Sequence, residues 1–254
     1  MPKIKGALLD AAQRRELVLF AGAGMSRKAV GLTGLDLRDR LADDIRRDYA
    51  EYDTQGRTLE DVCDEYAALY DRPRLADRLA ELIPHDAQPQ LSHLAAVRIF
   101  RFVVTTNWDM LFERASIACG TRYQVLSSEA DAPMFNYDQQ NLLKIHGSVD
   151  RPVSLVATTE DYEAYADTHA NLLSRVAELL QSNTVLFVGY GLRDEHVRRL
   201  LSRIRRANQQ WTRKAYAVGF YDEVRTLLLS TRRIEVVQAD ADDFLTGLAD
   251  AVAQ

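Results

Sequence analysis

Four short stretches carry the residues whose types and spacing could do chemistry. Gly22-Ala23-Gly24-Met25-Ser26 follows the apolar run Leu17–Phe20. A parallel strand that ends in glycines and runs into a helix predicts a phosphate site. The backbone can come close to a pyrophosphate, and the helix N-terminus offers N–H groups and partial positive charge. Ser26 adds a hydroxyl. Gly22 and Gly24 match the first two glycines of a dinucleotide fingerprint, and Arg27 stands in place of the third. The second stretch, Val103-Val-Thr-Thr-Asn-Trp-Asp109, ends an apolar run in Thr106, Asn107 and Asp109. In the third, Leu142-Leu-Lys-Ile-His-Gly147, the run ends in an imidazole, His146. The fourth, Val185-Leu-Phe-Val-Gly-Tyr-Gly191, ends in a second glycine turn, with Asp194 beyond it.

In an open parallel sheet, ligands bind at the carboxyl ends of the strands. The four stretches are therefore expected to converge on one crevice. Two glycine turns can clasp an extended dinucleotide from both sides, with an amide, a carboxylate and an imidazole at its reactive end. Each residue also has a structural reading. Asp109 fits an N-cap for a helix Met110–Ala115. Asn107 fits a turn, and His146 a core histidine at a strand end. Trp108 fits either a pocket wall or the core. Asp194 is read as the N-cap of a helix Glu195–Ile204, whose run of arginines from Arg198 to Arg206 predicts a solvated face.

The elements that must position these groups follow from the pattern of apolar residues. Candidate strands are Leu17–Phe20, Phe102–Thr106, Leu142–Ile145, Val153–Val156, Thr184–Val188, Ala215–Val218 and Ile234–Val237. Most are continuous apolar runs, the mark of parallel strands covered on both faces. Between the first two, Leu59, Val62, Cys63, Tyr66, Leu69 and Tyr70 share one helical face. Thr58 and Asp61 have the spacing of a capping box. Leu75, Leu79 and Leu82 begin a further helix after Pro73. The predicted fold class is α/β: a doubly wound, Rossmann-like parallel sheet in a single domain, 1–254, with a small helical module inserted at 27–90.

Bulk properties narrow the function. The 254 residues carry a net charge of −5, which gives no general attraction for nucleic acid. Two cysteines, Cys63 and Cys119, cannot build a four-cysteine zinc site. Few cysteines and the lack of a secretory leader predict a cytoplasmic location. No apolar run is long enough to span a bilayer.

Taken together and in order, Gly22-Ala23-Gly24-Met25-Ser26, Thr106-Asn107-Trp108-Asp109, His146-Gly147 and Gly189-Tyr190-Gly191 resemble the sirtuin family. Pro89, His93 and Leu94 resemble a helix of that family. The missing zinc cysteines and the divergent loop Gly31–Arg38 set the chain apart from protein-deacylating members. Its Thr-Thr-Asn-Trp-Asp and Lys-Ile-His-Gly-Ser forms are closer to the zinc-free, sirtuin-like branch of prokaryotic anti-phage systems. That resemblance implies an NAD hydrolase, with NAD as substrate and no metal, releasing nicotinamide and ADP-ribose as a regulated effector. It implies His146 as general base, Asn107 orienting the ribose or the water, and Asp109 holding the carboxamide. Gly22, Ala23, Gly24, Ser26 and Thr106 would bind the dinucleotide, with Gly189 and Tyr190 opposite. It further implies a homo-oligomer, or an ATPase-like or Argonaute-like protein partner. Two other readings remain open at this point: a non-catalytic sensor of NAD or ADP-ribose, and an NAD-dependent protein-modifying transferase.

Overall fold

Continuous apolar runs become central strands here because helices cover both of their faces. The computed structural model describes residues 4–190 and 215–254. Its seven strands are β1 (Leu17–Ala21), β2 (Phe102–Thr105), β3 (Gln124–Leu126), β4 (Asn141–Lys144), β5 (Thr184–Val188), β6 (Ala215–Val218) and β7 (Ile234–Val237). They form one sheet in the order β3-β4-β2-β1-β5-β6-β7, and every pairing is parallel. The helices are α1 (Gly6–Gln13), α2 (Ala23–Val30), α3 (Gly34–Asp48), α4 (Leu59–Tyr70), α5 (Arg72–Leu82), α6 (Leu91–Ile99), α7 (Leu111–Ala118), α8 (Thr159–Thr168), α9 (Ala170–Ser182), α10 (Glu223–Thr231) and α11 (Ala241–Ala253). This is the doubly wound, Rossmann-like architecture the sequence predicts. Among the described residues no helix is long and apolar enough to cross a membrane.

Alternation along each strand divides the core in two. Leu17, Leu19, Ala21, Val103, Leu186 and Val188 face one layer, with α1, α6, α7 and α11. Val18, Phe20, Val104, Leu143, Val185 and Phe187 face the other, with α8 and α9. Each layer buries large side chains completely, among them Phe100 and Phe112 on the first and Phe20 and Phe187 on the second. From β1 the chain passes to β2 on one side and later to β5 on the other. The β1/β5 junction is therefore the topological switch point, where an open α/β sheet leaves a crevice.

Helices α3, α4 and α5 build a third core of their own from Leu41, Ile45, Val62, Cys63, Leu75 and Leu79. Thr58 caps α4 as the spacing predicts: its hydroxyl accepts from Asp61 N–H, and Asp61 reaches back to Thr58 N–H at 2.7 Å. Val149, Leu155 and Ala157, which follow the end of β4, complete this third core.

Two expectations about the elements change. Val153–Val156 is not a strand. Pro152, without an N–H, begins a 3-10 turn over Pro152–Ser154, and Val153 is 93% exposed. The edge strand β3 escaped notice because it is three residues long and only Leu126 in it is fully buried.

The helical module is tied to α8 electrostatically. Arg72, the first residue of α5, donates to both carboxylate oxygens of Asp161 and to the Leu155 carbonyl. Burial would raise the Asp161 pKa. Hydrogen bonds from Ala157 N–H, Thr158 N–H and Arg72 outweigh it and hold the carboxyl below its usual range. A depressed acid stabilises the fold above its unfolded pKa, about 3.9, and that contribution is lost as pH falls through the lower folded value. Chemical denaturation as a function of pH should therefore show a weaker acid dependence below about pH 4 in Asp161→Asn than in wild type. Equal slopes for the two proteins would show that this carboxylate does not carry the linkage.

Candidate functional site

The glycine turns after β1 and β5 meet at the switch point. Gly24 N–H donates to the Gly189 carbonyl at 2.8 Å, and Gly22 N–H donates to the Val188 carbonyl at 3.0 Å. A Cβ on Gly24 would stand 2.6 Å from the Gly189 oxygen, and one on Gly22 would stand 2.8 Å from that oxygen and from Tyr190 Cα. Gly189 has φ +63°, and a Cβ there would lie 2.1 Å from the Met25 nitrogen. The glycines thus first make room for each other's backbone. The two turns are in contact rather than held apart. Tyr190 is buried against Phe20, with ring centroids 5.2 Å apart.

What remains open is the outer side of this junction. Ala23 and Gly24, the first residues of α2, are exposed. The cap residue Gly22 offers no side-chain bond to the helix, and the first turn of α2 holds no acidic residue. Its partial positive charge is left for an anion.

Asn107 stands beside this helix end. Its side-chain amide donates to Ser26 Oγ at 2.8 Å and to the Gly22 carbonyl at 3.2 Å. Its own N–H donates to Thr105 Oγ1 at 3.0 Å. The side chain is therefore fixed, and its carbonyl oxygen, Oδ1, is buried without a partner among the described residues. A buried acceptor left unsatisfied costs about 1–3 kcal/mol, so the atom awaits a donor. Ser26, assigned to phosphate from the sequence, is nearly buried and holds Asn107. Thr106 continues β2, its N–H reaching the Ala21 carbonyl at 3.4 Å.

Asp109 is buried, and its Oδ1 accepts from Leu111 N–H at 3.0 Å. Helix α7 starts at Leu111, one residue later than predicted, and its N-cap is Met110, so Asp109 lies one residue before the cap and is not the N-cap the sequence suggested. Trp108 is partly buried against the core of the helical module.

His146 lies just past the end of β4 and is 5% exposed. Its carbonyl accepts from Val156 N–H at 3.0 Å. Its ring meets the ring of Tyr162 edge-on at 5.4 Å and that of Tyr165 at 6.2 Å. Tyr165 hydroxyl donates to the Ile145 carbonyl, which pins it beside the imidazole. These two tyrosines were missed in the sequence, although their three-residue spacing in Asp161-Tyr-Glu-Ala-Tyr165 marks one helical face. Gly191, Asp194 and the arginine-rich helix predicted over 195–204 lie outside the described residues.

A cavity of about 910 Å³ opens elsewhere, lined by Arg72, Glu129, Arg151, Asp161 and His169 among others. Neither Asn107 nor His146 lines it. Its charged groups already serve the fold: Arg72 with Asp161, Arg151 with Asp131, and Glu129 with the first N–H groups of α9. The switch point, with its unsatisfied acceptor and uncapped helix end, is the stronger site.

The family described as SIR2-like domain matches residues 101–237. A protein of Cytobacillus dafuensis named NAD(+) hydrolase ThsA is 26% identical over 200 residues, 78% of this chain and 40% of its own length. Defense-associated sirtuin 2 of Bacillus subtilis is 27% identical over 119 residues, 46% of this chain and 12% of that protein. The chain thus spans about two fifths or less of these curated relatives. A solved structure described as Sir2 bound to acetylated peptide covers 95% of both chains with a TM-score of 0.51 at 14% identity, a likeness of fold.

The contact between the turns sets a stability test. Gly120 also has positive φ, +69°, but open space around it. Gly120→Ala should cost about 1 kcal/mol for the left-handed backbone alone. Gly189→Ala adds a backbone clash and should cost roughly 3 kcal/mol or more. Denaturant melts of the two variants compare them directly, and equal losses would mean that the turns are not in contact.

Proposed function

The chain belongs to the SIR2-like domain family, and from that premise we propose that it is an NAD hydrolase, cleaving the bond between nicotinamide and ribose as an effector of defence against phage. The observation that carries this reading is the Asn107 carbonyl, buried, fixed by Ser26 and Gly22, and lacking a donor among the described residues beside an uncapped helix end. A ribose hydroxyl or an attacking water supplies the donor that oxygen needs. The pyrophosphate lies against Ala23 and Gly24 on the exposed side of the joined turns. Gly22, Ser26 and Thr106 support that rim from below, and Gly189 and Tyr190 complete it from β5. The names of the relatives, NAD(+) hydrolase and defence-associated sirtuin, support the same substrate and setting.

In the proposed reaction water attacks C1′ of the nicotinamide ribose. The C1′–N bond breaks, and its electron pair neutralises the pyridinium, which leaves as nicotinamide. His146 takes the proton of the water, a role that imidazoles commonly fill in general acid–base catalysis. The edge contacts of Tyr162 and Tyr165 limit how far that ring can swing, which favours a fixed line of proton transfer. Asn107 orients the water or the ribose. Asp109 reaches the carboxamide with the oxygen not held by Leu111 N–H. Turnover is gated by self-association or by an ATPase-like or Argonaute-like partner, since unrestrained loss of NAD would harm the host.

The binding-only reading has one observation in its favour: Asp109 is already engaged by the Leu111 N–H. Nicotinamide release separates the two. Purified protein is incubated with NAD, alone and with candidate partners. His146→Ala should release nicotinamide about 10²–10⁴ times more slowly than wild type. Tight binding with NAD recovered intact in every state would favour the sensor, and equal rates for wild type and variant would remove His146 from the chemistry.

A further inference from the structure

We propose that Lys144, the last residue of β4, is a positioning residue whose ammonium locks the Asn107–Asp109 segment to the His146 turn. The claim rests on the NAD-cleaving reading only for what the two segments do. That they are joined is a matter of geometry. Lys144 is 1% exposed. Its Nζ donates to the Asp109 carbonyl at 2.6 Å, to the Trp108 carbonyl at 3.2 Å and to Ser148 Oγ at 2.5 Å, and it pairs with Glu113 Oε1 at 3.0 Å. Two of these acceptors belong to the loop that carries Asn107 and Asp109. The third sits two residues beyond His146. Glu113, on α7, is the counter-ion. Burial pushes its pKa up, and the lysine opposes that.

A lysine has three N–H donors and no acceptor, so these four oxygens take up its whole capacity, two of them sharing a donor. Burying an ion pair gains little stability over an apolar pair of the same size. Packing alone would be met by methionine or leucine at this strand end. What an apolar side chain cannot do is fix three acceptors on separate segments about one point. Both Asn107 and His146 must meet the same sugar, and displacement of one by about 1 Å can cost about 10²-fold in rate.

The test compares Lys144→Met/Glu113→Gln, which removes both charges together, with Glu113→Gln alone, which keeps the ammonium and its carbonyl contacts. All are measured for folding by thermal melt and for nicotinamide release from NAD. The double variant should melt cooperatively and lose about 10²-fold in kcat, with KM within about threefold of wild type. Glu113→Gln should stay within about threefold in kcat even where its melting temperature falls. A merely structural pair would make rate follow stability, so kcat for the double variant equal to that of Glu113→Gln overturns the proposal. Should the double variant not fold, Ser148→Ala removes only the contact on the His146 side and should lower kcat about tenfold, and no change there refutes the claim. A second readout needs no turnover. With Trp211→Phe the only indole is Trp108, whose carbonyl Lys144 holds. Its emission should differ between the Lys144→Met/Glu113→Gln and Glu113→Gln backgrounds. If wild type releases no nicotinamide in any state, the NAD reading fails by itself, and identical Trp108 spectra then overturn the role of Lys144.

Discussion

The close approach of two backbone turns at the centre of the sheet is the constraint on which the rest of the site depends. β1 pairs with β2 on one side and with β5 on the other, in register from end to end. Their carboxyl ends therefore come level, and the two glycine turns have nowhere to go but against each other. That contact directs α2 outward, with its N-terminus uncapped and its first residues in solvent. It also brings the Gly22 carbonyl and Ser26 to where Asn107 can grip both. Side chains larger than hydrogen at these positions would part the strands before they affected any ligand.

Around this junction the polar groups are ranked by what holds them. Asn107 is bound on its nitrogen, and its oxygen has no partner among the described residues. Asp109 is held by Leu111 N–H at the start of α7. His146 is confined by the aromatic edges of Tyr162 and Tyr165 and by a backbone bond to Val156. The sheet supplies coarse position, since all three groups follow strand ends. The finer adjustment between neighbouring strand ends falls to side-chain bonds made behind the site.

Much of this was legible in the chain. Continuous apolar runs identified six of the seven strands and their parallel sense, because strands buried on both faces have no polar alternation to obscure them. Thr58 and Asp61 announced a capping box by spacing alone. The failures have physical causes. Val153–Val156 looks like a strand by composition, yet Pro152 starts a turn and leaves Val153 in solvent. β3 is too short and too polar to stand out. At the site, residue type was readable and partnership was not. The sequence cannot tell that Ser26 faces Asn107 across 81 positions, or that the glycines accommodate one another. Lys144 was visible as part of a motif, but a lysine ending an apolar run gives no sign that it turns inward.

The helical module closes its interior with Val149, Leu155 and Ala157, which come from the segment on either side of the 3-10 turn and just beyond His146. Inheritance of this module is therefore not modular in the genetic sense. A chimera that exchanged residues 34–82 between relatives while leaving 149–157 in place would join surfaces that had never been fitted together. Divergence in one stretch must be answered in the other, far downstream in the chain. The stretch that answers is the one that carries the imidazole into the crevice.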